Sequence, residues 1–136
     1  AGLMVDGDAK ERELVREIDG AERWVAMRAP SSGSATSRDL PDVLAGNRGR
    51  TLVVELKSSG GDPIYIEQEE VEALQRFARA FGGEAKIACR WSSRSLQDST
   101  FYFSDPGRLY RTDAGTYRAK YEDMAQWTPL AQVLRE

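Results

Sequence analysis

The chain contains no histidine and a single cysteine, Cys89, among its 136 residues. Without an imidazole, neither a serine–histidine nor a cysteine–histidine nucleophile can be assembled. The same absence removes the usual nitrogen and sulfur ligands of zinc, so an oxygen-only centre is the expected kind of metal site. Cys89 has no partner for an internal disulfide. Its setting in Ile87-Ala88-Cys89 predicts a small core side chain, compatible with a reducing cytoplasm.

Long hydrophobic runs are also missing, and the first six residues have neither a basic flank nor a long apolar segment. We therefore expect no secretory signal, no membrane anchor and a cytoplasmic protein. Hydrophobic residues make up 40% and charged residues 30% of the chain, which is ordinary for a globular protein. This length predicts one domain over residues 1–136.

Lysine is scarce, and the net charge is −3, although the chain has nineteen basic residues. Proteins that bind nucleic acids usually carry a positive excess, so the overall charge argues against DNA contact. A composition rich in acids and poor in lysine also keeps a protein hydrated in strong salt, which suggests a salt-adapted organism. Two interpretations stay open: DNA binding through a local basic patch, or an ordinary acidic protein that never meets DNA.

Helical and strand-like patterns alternate along the chain and predict an α/β fold. Asp8 and Gly20 bound a first helix, and Gly82-Gly83 end a second helix whose apolar stripe includes Val71 and Leu74. Residues 31–37 are too small and polar to pack and predict a loop. The predicted elements are helices over residues 8–20, 67–81 and after 129, and strands over residues 24–27, 42–45, 51–57, 85–91 and 101–103.

Two acids and a lysine lie at the ends of neighbouring predicted strands. Asp42 begins one strand, and Glu55 and Lys57 lie near the end of the next, on the same side because side chains alternate. If the strands pair, two carboxylates and an ammonium meet, which is what metal-dependent phosphodiester cleavage requires. The alternative is an exposed edge with a solvated Glu55–Lys57 ion pair, which stabilises little.

Two features of the sequence favour a functional site over that alternative. The residues between the charges, Val53, Val54 and Leu56, form a run typical of a buried strand, where charges are costly unless they pair or bind metal. Pro41 is expected to stop strand pairing directly before Asp42, which suits an acid at the mouth of a cleft.

The pattern Pro41-Asp42…Glu55-Leu56-Lys57 resembles the signature of the PD-(D/E)xK nuclease superfamily. Within it, the chain is similar to the archaeal Holliday junction resolvases from about residue 9 to residue 91, with a weaker likeness at residues 112–117. Four further segments carry this likeness: Lys10-Glu11-Arg12-Glu13-Leu14-Val15, Met27-Arg28-Ala29-Pro30-Ser31-Ser32-Gly33-Ser34, Ile64-Tyr65-Ile66 and Arg76-Phe77-Ala78-Arg79-Ala80-Phe81-Gly82-Gly83.

The resemblance implies a restriction-endonuclease-like α/β fold, with a central mixed five-stranded sheet flanked by helices. It also implies a Mg²⁺-dependent endonuclease, with Mn²⁺ expected to substitute, acting on four-way DNA junctions by paired nicks. A homodimer follows from the two-fold symmetry of that substrate. The rival interpretations are a nuclease of the same superfamily with another target and a junction-binding paralogue without catalysis.

Asp42 and Glu55 are the expected metal ligands, with the Leu56 carbonyl as a third contact, because Mg²⁺ prefers oxygen and keeps several waters. The resemblance makes Glu11 a further ligand or water-holder, although a glutamate in such a charged helix is more often solvated. It assigns Lys57 the placement of the attacking water; the alternative for Lys57 is an ion pair with Glu55.

The resemblance also implies contacts with DNA. Arg12 and Arg28 fall at positions that meet phosphate, or else they are surface ion-pair partners. Ser32 is expected to be the loop serine near the scissile strand, with Ser34 as the alternative; such serines are usually only solvated. Tyr65 and Gln68 are expected to flank the site.

Overall fold

The computed structural model describes residues 7–30 and 40–136. Its main sheet has six strands in the spatial order β1-β2-β3-β5-β6-β9. β3 and β5 run parallel and the other neighbouring pairs are antiparallel, so the sheet is mixed. The strands are β1 (Val25–Arg28), β2 (Val43–Gly46), β3 (Thr51–Ser59), β5 (Glu84–Trp91), β6 (Tyr102–Ser104) and β9 (Thr128–Pro129).

A smaller sheet of three short antiparallel strands lies beside the main one, in the order β4-β8-β7. Its strands are β4 (Ile64–Ile66), β7 (Tyr110–Arg111) and β8 (Tyr117–Ala119). The α-helices are α1 (Gly7–Asp19), α2 (Gln68–Phe81) and α3 (Leu130–Val133), and two 3-10 helices cover Pro106–Arg108 and Tyr121–Gln126. Among the described residues, none of the helices has the length and apolar character needed to cross a membrane.

The central strand β3 separates two cores. Leu52, Val54 and Leu56 pack in one core with Leu14 and Ile18 of α1. Val53 packs in the other core, together with the apolar stripe of α2. Because side chains alternate along a strand, Glu55 and Lys57 lie on the side of Val53, facing the layer of α2.

The C-terminal end of α2 is fixed by two glycines. Gly82 adopts a left-handed conformation with φ of 85°, and its N–H donates to the Ala78 carbonyl over 2.9 Å. At Gly83, a Cβ would lie 2.8 Å from a methyl group of Val53. Glycine is therefore required where the chain turns from α2 into β5, because any side chain there would push the helix away from β3.

This architecture confirms the predicted mixed sheet flanked by helices, and three details differ. β9 adds a sixth strand of two residues. β3 continues to Ser59, beyond the predicted end at Lys57. Tyr65 lies in the strand β4, whereas the sequence predicted no strand directly before the helix at residue 67. The strand was missed because strands of two or three residues are too short to show a hydrophobic period. The predicted loop over residues 31–37 lies outside the described residues.

Candidate active site

Asp42 and Glu55 lie at the open end of the β2–β3 hairpin, away from its turn. The ladder runs from Gly46, paired with Thr51, to Val43, paired with Val54, and Asp42 and Glu55 are the next residues of the two segments. Their carboxyl groups are close enough for the charge of Asp42 to raise the pKa of Glu55. Oδ2 of Asp42 also accepts the Leu56 N–H over 2.8 Å, which holds this carboxylate against the backbone of β3.

Strand pairing stops before Asp42, as the position of Pro41 predicted: β2 begins at Val43, and Pro41 has no N–H to donate. Asp42 nevertheless forms two backbone hydrogen bonds. Its N–H donates to the Val54 carbonyl over 3.0 Å, and its carbonyl accepts the Ala29 N–H over 3.0 Å. Asp42 is thus held between β3 and the residue that follows β1.

Both carboxyl groups are shifted towards the protonated form. Burial raises the pKa of Asp42 to about 6; the Leu56 N–H opposes this shift, and the nearby Glu11 carboxylate adds to it. Burial likewise raises the pKa of Glu55 to about 8, with further contributions from the charges of Asp42 and Glu70. Like charges in a buried place disfavour ionisation, and a cation there would reverse that effect.

Lys57 is held by a residue that the sequence analysis did not identify. Its Nζ donates to Oε2 of Glu70 in α2 over 2.9 Å, so the predicted alternative of a pair with Glu55 is not the ion pair that forms. Burial lowers the pKa of Lys57, but the hydrogen bond and charge of Glu70, with the charges of Glu55 and Asp42, outweigh it, and the net pKa is raised. Lys57 is therefore an ammonium at neutral pH.

Glu70 also belongs to the start of α2. Its second oxygen, Oε1, accepts the backbone N–H of Glu67 over 3.0 Å, which is half of a capping box. The sequence held a signal for this arrangement, because a glutamate three residues after a helix start often makes that bond. It gave no signal for the contact with Lys57, since Glu67, Glu69 and Glu70 form one acidic turn.

Glu11 reaches the site from α1 and is already paired. Its Oε1 accepts from Nε and Nη2 of Arg28 over 3.1 and 3.0 Å, and the same Nη2 lies 2.9 Å from Oδ1 of Asp8. Arg28 is thus an ion-pair partner, the alternative that we had set beside a phosphate contact. Glu11 lies near enough to raise the pKa of Asp42, so it belongs to the same cluster.

The remaining predicted site residues are more dispersed. Arg12 is exposed on α1, one residue after Glu11. Tyr65 is exposed on β4, and Gln68 begins α2, where its Nε2 donates to Glu72 and its Oε1 accepts from Arg111, each over 2.7 Å. Ser32 and Ser34 lie outside the described residues.

Within residues 7–30 and 40–136, no group of three or more Asp, Glu, Cys or His side chains has an arrangement that could hold a metal ion. The oxygen donors of Asp42 and Glu55 nevertheless suit a hard divalent cation, because such an ion accepts few protein ligands and keeps waters. The raised pKa values of both carboxyl groups point the same way, since burial and the repulsion between neighbouring acids outweigh the charge of the nearby Lys57.

A sequence profile of the archaeal Holliday junction resolvases (Hjc) matches residues 4–136. The chain belongs to this family. The family's proteins include the crossover junction endodeoxyribonuclease Hjc of Sulfolobus acidocaldarius, 32% identical over 130 residues that make up 95% of this chain and 86% of that protein. The protein of the same name from Methanocaldococcus jannaschii is 31% identical over 107 residues, or 79% of this chain and 75% of that protein.

Among solved structures, this chain is similar to Archaeoglobus fulgidus Hjc, described as a Holliday junction resolvase from an archaeal hyperthermophile. The TM-score is 0.80 at 29% identity, and the match covers 94% of this chain and 99% of the other. This similarity confirms the predicted fold class. The predicted cluster of Asp42, Glu55 and Lys57 therefore lies in a fold shared with a known resolvase.

Proposed function

We propose that this chain is a structure-selective endonuclease that resolves four-way DNA junctions by paired phosphodiester nicks. The observation that carries the proposal is the meeting of two partly buried carboxylates and an ammonium beside the second half of β3 in a member of this family. Hydrolysis of a phosphodiester needs an activated water and compensation for the negative charge that builds on phosphorus. The residues of this cluster are suited to both tasks.

Mg²⁺ is the proposed cofactor, with Mn²⁺ as a substitute. Asp42 and Glu55 would hold it, with the Leu56 carbonyl and Glu11 as further oxygen donors. When bound, the ion would polarise the phosphate and lower the pKa of the attacking water. Binding also requires both carboxyl groups to lose their protons, so we expect the affinity for the ion to rise with pH up to about 8, the pKa of Glu55.

Lys57 is proposed to act as a cation and hydrogen-bond donor. Because its pKa is raised, it carries a proton throughout the neutral range and does not take one from water. Its N–H groups would orient the water and stabilise the charge on the non-bridging phosphate oxygens. Glu70 is the proposed positioning residue that keeps this ammonium beside the two acids.

The proposed DNA contacts extend on both sides of the cluster. Arg12 and Arg28 would meet phosphates, and Arg28 would have to share its guanidinium with Glu11 and Asp8. Ser32, with Ser34 as the alternative, would approach the scissile strand, and Tyr65 and Gln68 would flank it. Contacts of this kind read the shape of the backbone more than the identity of the bases.

Two symmetric nicks call for two sites, and we propose that a homodimer supplies them. A connected apolar surface supports this proposal: the side chains of Val25, Met27 and Phe81 are all more than half exposed, and with Leu44 they line one groove. Large exposed apolar patches commonly mark interfaces. We expect Met27→Lys to convert the dimer into monomers in analytical ultracentrifugation, with Arg135→Ala as a surface control, and a wild-type monomer would contradict the proposal.

The function can be tested with a labelled four-way junction and a linear duplex of the same sequence, each incubated with and without Mg²⁺. We expect paired nicks in the junction with Mg²⁺, uncut duplex, and no cutting by Glu55→Gln. Equal cutting of both DNAs would favour a nuclease with another target. Tight junction binding without any cutting would favour the non-catalytic paralogue.

A further inference from the structure

The small sheet has one buried face and one exposed face. Ile64, Ile66 and Ala119 are almost fully buried, so this side of β4 and β8 packs on the core. Because side chains alternate along strands, Tyr65 and Arg118 must project from the opposite face. Of the residues on that outer face, the proposed function uses only Tyr65, as a DNA contact that flanks the scissile strand.

Three side chains form a row across it. Arg118 is opposite Tyr65 in β4 and opposite Tyr110 in β7, so the row reads Tyr65–Arg118–Tyr110. The Arg118 guanidinium lies 4.4 Å from the centre of the Tyr110 ring. Tyr65 and Tyr110 remain 53% and 57% exposed, which leaves ring surface open to a ligand. We call these three residues the platform.

The charge of the region suits a polyanion. Arg118 forms no ion pair with a carboxylate of the described residues, whereas Arg28, Arg50 and Arg90 each do. Its guanidinium therefore brings to the outer face a positive charge that no acid in the described part of the chain neutralises, although the net charge of the chain is −3. A charge of this kind is suited to a phosphate group of DNA.

The small sheet also contacts the helix that positions the active-site lysine. Arg111 follows Tyr110 in β7 and projects from the face opposite to the platform. Its Nη2 donates to Oε1 of Gln68, the first residue of α2, over 2.7 Å. Two residues further along, Glu70 holds Lys57. The small sheet and the active site are therefore linked through the first turn of one helix.

We propose that the platform binds unstacked nucleotides of branched DNA, with a base on a tyrosine ring and the adjacent phosphate on Arg118. The proposal rests on the proposed function, since it concerns the same substrate. Bases inside a duplex are covered by their neighbours, whereas a branch point exposes base faces. Aromatic side chains interleaved with arginine are suited to such bases, and stacking accepts any sequence.

The competing explanation is structural, because an arginine packed between two tyrosines across neighbouring strands also stabilises a small sheet. The test must therefore distinguish the loss of aromatic ring surface from a loss of folding. Binding is measured with a four-way junction and a linear duplex in the absence of divalent cations. The Tyr65→Ala/Tyr110→Ala double variant is compared with Tyr65→Phe/Tyr110→Phe, which keeps both rings.

We expect the alanine double variant to bind the junction about 5- to 100-fold more weakly, in line with the loss of one stacked base, and the duplex within about twofold of wild type. The phenylalanine double variant should bind like wild type. Arg118→Ala should lower the slope of log affinity against log salt by about one, and Arg135→Ala, which removes an exposed arginine elsewhere, should change it far less.

A second measurement needs no variant. A junction with 5-iodouracil at the branch point, irradiated with the wild-type chain, should crosslink to Tyr65 or Tyr110, as located by mass spectrometry. Crosslinks elsewhere, or unchanged junction affinity in the alanine double variant, would overturn the platform even where the wild-type chain cuts junctions. Failure of the wild-type chain to cut would instead contradict the proposed function.

Discussion

At the start of β3, Arg50 forms two hydrogen bonds with Glu84, over 3.0 and 2.9 Å, and lies 3.6 Å from Glu136. In the middle of the same strand, Glu55 lies beside Asp42, and neither acid forms an ion pair with a basic residue of the described part of the chain. The pKa of Glu84 is lowered, chiefly by its hydrogen bond to Arg50, whereas the pKa values of Asp42 and Glu55 are raised by burial. A neutralised acid thus lies beside the start of β3, and two acids without an ion-pair partner among the described residues lie beside its middle.

This difference shows how charge can be read as function. The two members of an ion pair neutralise one another, so they need no further ligand. Two partly buried acids that repel one another destabilise the folded state, and such an arrangement is typical of a site where a ligand or a reaction makes use of it. The carboxylates of Asp42 and Glu55 are therefore expected to take part in the reaction, whereas those of Glu84 and Glu136 beside Arg50 are expected to contribute to stability.

The largest expected effect is on cleavage. Replacing Glu55 with glutamine removes a charged oxygen ligand with little change of shape, and we expect the rate of junction cutting to fall by at least about 1000-fold. Glu84→Gln, the same change beside the start of β3, should leave the rate within about twofold. Comparable losses of cutting rate in the two variants would contradict the distinction between functional acids at Glu55 and structural acids at Glu84.

The next effect is on stability as a function of pH. The pKa values of Asp42 and Glu55 rise on folding from 3.8 to about 6 and from 4.5 to about 8, so the folded chain binds their protons more tightly. Their contribution to the free energy of unfolding is thus fully present below pH of about 4 and is lost as pH rises through about 6 and about 8.

Without divalent cations, we expect the free energy of unfolding to decrease by on the order of 5 kcal/mol between about pH 5 and about pH 9, measured by urea denaturation. Mg²⁺ should restore part of it at high pH, because the ion binds the charged acids. Glu55→Gln should remove most of the decrease, and Glu84→Gln should retain it. A wild-type chain equally stable at both pH values would contradict the raised pKa values.

A smaller effect is expected from the partner of Lys57. Glu70→Gln should lower kcat about 10-fold, because the ammonium loses the charge that positions it. The same change lowers the pKa of Lys57, so the alkaline limb of the pH–rate profile should move to lower pH. Glu69→Gln, an exposed neighbour in the same helical turn, is the matched control. A slower enzyme with an unmoved profile would leave Glu70 a structural role only.

The smallest effect is at the neutralised end of the strand. Arg50→Ala breaks an ion pair whose glutamate is partly exposed, so we expect a loss of about 0.5–1 kcal/mol in the free energy of unfolding. Junction cutting should be unchanged when assayed well below the melting temperature. A loss of cutting without a loss of stability would place the Arg50 cluster in the function.

Residues with a strong local pattern were predictable from the sequence. The apolar run around Glu55 fixed β3, and the spacing of Val71 and Leu74 fixed α2. Asp42 was predicted to lie beside Glu55, although β2 begins at Val43, one residue later than predicted. Contacts between distant segments left no local signal, as with Glu70 and Lys57. The strands β4, β7 and β8 exist because the core covers one of their faces, which no window of two or three residues can show.

The carboxylate of Glu70 has two structural roles. Oxygen Oε1 of Glu70 closes the first turn of α2, and Oε2 keeps the ammonium of Lys57 in place. The helix cannot unwind at that turn without also releasing the lysine. Heat, denaturant or a neighbouring substitution that loosens this turn should therefore abolish activity before the rest of the molecule unfolds.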